Sequence, residues 1–202
     1  MNGELTARLA ARVAGTASPA ERIGVGDRGN QWYRSDDPEL QDYFALFDEV
    51  CTRYHLDFRD DGLGDNPAYA SCGQAVGAVV RATVDPDWNM WGCADELECM
   101  RSREQWELMG TSDGGDVDQL CQPGDVLINL KHCLLYVGNR IAQEYWPGTD
   151  ANFYEAAFTR KRYPGLTAHP PRGDGWGTFQ IFRATGRGSW QRPFIDLTPW
   201  GL

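Results

Sequence analysis

The 202-residue chain predicts an α+β fold, with N-terminal helices packed on one side of a small antiparallel sheet. Two observations predict it. Apolar residues recur at helical spacing in three segments of the first 83 residues. From residue 125 onward, short β-rich runs separated by Gly, Pro, Asn or Asp take over. The length and a hydrophobic content of 42% fit one domain over 1–202, its core at about 36–185.

Taken in order, residues 4–14 carry Leu5, Leu9 and Val13 on one helical face. The glycine-rich stretch 24–32 lacks a phosphate-loop lysine and a dinucleotide pattern, so it reads as a turn region. The next helix begins near Asp36 or Asp37, with Pro38 in its first turn. It runs through Leu40, Tyr43, Phe44, Phe47, Val50, Cys51 and Tyr54 on one face. The acidic loop 57–69 resembles a calcium loop in composition, but its spacing does not fit an EF-hand. A third helix over 71–83 has Ser71 to cap it and Cys72, Ala75, Val76, Val79 and Val80 on one face. Its small residues allow close approach to a sheet. Residues 84–119 read as a long irregular insert containing Trp88, Trp91 and Trp106, with a short helix from Ser102 to Met109. Strands are expected in 125–129, 133–138, 140–145, 152–158 and 177–184. Residues 160–176 read as a basic loop, and Phe194 and Trp200 as packing residues of the tail.

Charge bounds the partners. A net charge of −10 and a pI near 4.7 argue against nonspecific binding to nucleic acid or to an anionic membrane, both of which need a basic surface. No stretch approaches the ~20 apolar residues of a membrane span, so no membrane insertion is expected. The first 15 residues lack the continuous apolar core of a signal peptide.

Six cysteines are present, in a chain too large and core-rich for a disulfide scaffold. Cys51 and Cys133 fall on apolar positions and read as small core residues. Cys93 and Cys99 could pair with each other. No CxxC occurs, and Cys51 with His55 at i,i+4 offers a metal only two ligands, so no metal is expected.

The chemistry concentrates on Cys72 and His132. A thiol is a nucleophile as thiolate, and a helix N-terminus, where Cys72 falls, stabilises that charge. His132 follows a turn and opens an apolar strand, where a rigid imidazole can take the thiol proton and return it to a leaving group. His55 ends a helix and His169 lies in a loop, so neither competes.

The run "LCQPGDVLI…HCLLYVGN" resembles the NlpC-type cell-wall peptidases and the related CHAP amidases, over roughly residues 65–160. A Pro-Gly-Asp turn, a strand, and then His132, Tyr136 and Gly138 in an H-x-x-x-Y-x-G strand carry the resemblance. In that family the nucleophile is a cysteine opening a helix, which here is Cys72. Ser71 and Gly73 stand where the family usually has aspartate and serine. The resemblance implies a papain-like fold and a cysteine peptidase or amidase acting on peptidoglycan stem peptides without a cofactor. It also implies a third residue on the following strand to orient the histidine. Glu155, preceding Ala156, fits that place, with Glu144 as the competitor. The backbone N–H of Cys72, with Tyr69 as a side-chain candidate, is expected to form the oxyanion hole. Such an enzyme is expected to be secreted or wall-associated, with cytoplasmic residence as the alternative. The altered neighbours of Cys72 motivate a rival reading, a degenerate wall-binding module on the same fold; a thiol acyltransferase or deamidase acting on protein is a third.

Overall fold

A computed structural model describes residues 3–14, 25–26, 29–30, 72–85, 88, 93–155, 165–168 and 177–186. The helix expected over 36–54, the acidic loop 57–69, Cys51, His55, Trp91, His169, Phe194 and Trp200 lie outside them. The described part is mixed α+β. Its main sheet has six antiparallel strands, and Val25–Gly26 (β1) pairs with Gly29–Asn30 (β2) in a separate small hairpin.

The first two described helices match the periodicity. α1 (Gly3–Val13) buries Ala7, Leu9, Ala10 and Ala11, and α2 (Cys72–Thr83) buries Ala75, Val76, Val79 and Val80. These small side chains let α1 lie against α2. One buried polar contact fixes their register. The Thr83 hydroxyl donates to the Val79 carbonyl at 2.7 Å, so Thr6 is the donor in the 2.7 Å contact between the two threonine hydroxyls.

The sheet contains β3 (Trp106–Thr111), β4 (Val126–Ile128), β5 (Cys133–Tyr136), β6 (Phe153–Glu155), β7 (Gly165–Thr167) and β8 (Gln180–Ala184). Their spatial order is β3-β8-β4-β5-β6-β7. Val126, Ile128, Cys133, Leu135, Tyr154 and Phe182 join the core beneath α1 and α2. Leu127, Leu134, Tyr136, Phe153, Phe179 and Ile181 form a second cluster. Two-sided burial is why the central strands read as unbroken apolar runs instead of alternating ones.

Four expectations fail. The stretch 84–119 is not an irregular insert: it supplies α3 (Cys93–Ser102), β3 and a short α4 (Val117–Leu120). The helix expected from Ser102 to Met109 gives way to strand at Trp106. Asp85, at the end of α2, receives two Arg103 guanidinium bonds at 3.0 and 2.9 Å and the Trp106 indole N–H at 3.2 Å. That clamp delivers residue 106 to β8, where Trp106 pairs with Ala184. The strand expected over 140–145 is a helix, α5 (Asn139–Tyr145). Gly138, at φ +78°, ends β5, and Ile141 and Ala142 then turn inward from a run of good helix formers. Within the expected loop 160–176, residues 165–167 form the edge strand β7.

The Pro-Gly-Asp turn explains its own residues. Gly124 has φ +94°, and a Cβ there would fall on the backbone of Gly3 at the start of α1. Asp125 is buried; it accepts from Arg183 at 2.9 and 2.6 Å and from the Gln122 backbone N–H at 2.8 Å. Gly124→Ala is expected to cost at least about 2 kcal/mol, from left-handed strain plus overpacking. Urea unfolding checks this; an unchanged midpoint would contradict the close packing. Among the described residues, no helix is long and apolar enough to cross a membrane.

Candidate active site

Three elements converge on one point. Cys72 is the first residue of α2, which packs on β5 and β6. His132 immediately precedes β5, and Glu155 is the last residue of β6. His132 Nε2 lies 2.6 Å from Glu155 Oε2, with both side chains almost wholly buried. Cys72 lies close enough to the same imidazole for each group to shift the other's charge.

The other sequence candidates fall elsewhere. The Glu144 carboxylate is engaged at the surface by Arg8 and by Arg140. Two tryptophans are packing residues: Trp88 is fully buried and meets Trp106 edge-on at 5.2 Å, and the Trp146 indole donates to the Ala11 carbonyl at 2.8 Å, tying the end of α5 to α1. Tyr69, the side-chain oxyanion candidate, and Ser71, the expected cap, lie outside the described residues.

The turn between β4 and β5 fixes the histidine. Asn129 Oδ1 accepts from the backbone N–H groups of Lys131 and His132, at 2.8 and 2.9 Å. The Asn129 N–H in turn donates to the His132 carbonyl at 3.0 Å. Both backbone groups of His132 are therefore held by one residue, an arrangement short polar side chains favour in turns. The Phe179 ring meets the imidazole edge-on at 6.3 Å. Sequence reasoning passed over Asn129, although an asparagine three residues before a strand-opening histidine is a turn signal.

Cys93 was also missed at this place. It opens α3, and its sulfur lies 3.5 Å from that of Cys72, so its neighbour is not Cys99. A hydrogen bond from the Cys93 thiol holds the Cys72 pKa well below the ordinary thiol value. The His132 hydrogen bond, its positive charge and the Cys133 backbone act the same way, against the cost of burial. Cys93 is correspondingly pushed up and keeps its proton. Burial opposes charge on His132, but its bonds to Cys72 and Glu155 prevail and raise it to about 9. Both shifts favour the thiolate–imidazolium form of the pair.

Glu96 completes the surroundings. It lies on α3, fully buried, and its carboxyl occupies the space a side chain at residue 73 would need. That accounts for glycine directly after Cys72. Burial, reinforced by the Cys72 charge, raises Glu96 to about 8, with the Trp88 indole lowering it only in part. Among the described residues, neither of its oxygens has a hydrogen-bond partner of good geometry. No sequence pattern announced it: a glutamate in a largely polar helix reads as solvated. Among the described residues, no group of three or more His, Cys, Asp or Glu is arranged to hold a metal ion.

No family model, curated protein or solved structure matches this chain.

Proposed function

We propose that the protein is a cysteine hydrolase of papain-like, NlpC-type architecture, with Cys72 as nucleophile, His132 as acid–base and Glu155 as the residue that orients His132. The observation that carries this reading is the buried 2.6 Å contact between His132 and Glu155, next to a thiol at a helix start. A histidine buried at 2% exposure, paired with a buried carboxylate and electrostatically coupled to a thiol, is an arrangement that clusters at functional sites.

In this mechanism the Cys72 thiolate attacks an amide carbonyl. The first N–H groups of α2 have no acceptor within the helix and can stabilise the oxyanion. Imidazolium His132 gives its proton to the departing amine. The neutral imidazole then draws a proton from water, whose oxygen cleaves the thioester. Glu155 fixes the ring tautomer and stabilises the imidazolium. The resemblance of the Pro-Gly-Asp and histidine strands makes peptidoglycan stem peptides the proposed substrate.

The test is digestion of purified peptidoglycan by wild type and Cys72→Ala, with fragments read by mass spectrometry. New stem-peptide fragments from the wild type alone support the reading. No fragments from a wild type whose Cys72 is rapidly alkylated would move the substrate to protein amides, and an inert Cys72 would sink the enzyme reading. The expected pH profile is a bell. Activity rises on the acid side as the Cys72 thiolate forms, and falls on the alkaline side as His132 loses its proton near pH 9.

A further inference from the structure

The Cys72–Cys93 pair has a capacity that hydrolysis does not use. The two thiols open separate helices, 21 residues apart in sequence, and their sulfurs are 3.5 Å apart. A disulfide bond is about 2.05 Å long, so closure needs a relative movement of about 1.5 Å, within reach of side-chain rotation. Cys93 is only half-buried, whereas Cys133, also near the site, is fully enclosed. All five described cysteines are free thiols.

We propose that Cys72 and Cys93 form a peroxide-responsive pair: hydrogen peroxide oxidises Cys72, Cys93 closes a disulfide onto it, and a dithiol reopens it. In the first step the Cys72 thiolate attacks one peroxide oxygen and the O–O bond breaks. The departing hydroxide takes a proton from imidazolium His132 and leaves as water. Cys72 is now a sulfenic acid, oxidised by two electrons, and the peroxide is reduced by two. In the second step the Cys93 sulfur attacks the Cys72 sulfur. An S–S bond forms, the S–O bond breaks, and water departs with the Cys93 proton. A dithiol returns two electrons and two protons by thiol–disulfide exchange. While the bond stands, Cys72 has no nucleophile to offer. The pair depends on thiol reactivity and proximity, not on which amide, if any, the protein cleaves.

The experiment treats the full chain with one equivalent of hydrogen peroxide, then alkylates free thiols and maps peptides by mass spectrometry. The expected result is a Cys72–Cys93 link and a whole-protein mass lower by two hydrogens, both reversed by dithiothreitol. In Cys93→Ser the link is lost and a sulfenic-acid trap captures Cys72, which goes on to sulfinic acid with excess peroxide. Cys133→Ser leaves the link intact. The proposal is overturned if wild-type Cys72 is trapped as sulfenic or sulfinic acid while Cys93 stays alkylatable. A link from Cys72 to another cysteine overturns it equally. None of these readings requires wall hydrolysis, so failure of the hydrolase reading and failure of the pair remain distinguishable.

Discussion

On the proposed hydrolase mechanism, Glu155→Gln is expected to lower turnover by roughly 10²- to 10⁴-fold, the range for losing a group that orients and charges an acid–base imidazole. The replacement keeps the shape of the 2.6 Å contact but removes its charge. Without that charge, His132 loses one of the two partners that lift it to about 9 and moves back toward its ordinary 6.5. The histidine titration read by NMR shifts down, and the alkaline limb of the activity profile moves with it. An unshifted His132 titration would show that Glu155 packs beside the ring without holding its charge. Circular dichroism of the variant separates this from a folding defect.

Glu96→Gln has the opposite sign: it stabilises the protein, and increasingly so as pH rises. Burial raises the Glu96 pKa from 4.5 to about 8. A carboxyl raised in this way holds a proton in the folded chain that the unfolded chain has already released. Its contribution is complete below pH 4.5, declines by about 1.4 kcal/mol per pH unit above that, and is gone above about pH 8. Glutamine has no proton to lose. Relative to wild type, the variant should therefore gain about 4 kcal/mol between pH 5 and pH 8. Urea unfolding of both proteins across that range gives the difference directly. A difference that does not change with pH overturns the assignment.

Cys72 and His132 were legible because their signals are local: a cysteine where an apolar helical face begins, and a histidine between a turn and an apolar strand. Glu155 needed the resemblance, since chain distance alone favoured Glu144; only sheet pairing of β5 with β6 brings residue 155 beside residue 132. Cys93 and Glu96 were beyond reach for a different reason. Their roles depend on where α3 docks against the start of α2, and no periodicity encodes the docking of two helices. The misread stretch 140–145 was ambiguous because six residues are too few to separate a helical period from a strand period. Residues 106–111 misled through exposure. Leu108 and Met109 lie on an edge strand with their side chains out, at 54% and 36% exposure, so the apolar spacing there does not report a buried face.

The strand order has a consequence for synthesis. β8, the last of the described strands, lies between β3 and β4, and β3 pairs with β8 alone among them. During translation, β4 to β7 can assemble in the order they emerge, while β3 waits some 70 residues for its neighbour. Until residue 184 leaves the ribosome, the nascent sheet carries an open, hydrogen-bonding flank at β4 and an unpaired apolar strand upstream of it. The molecule's exposure to mispairing is thus concentrated in the interval between the emergence of residues 128 and 184.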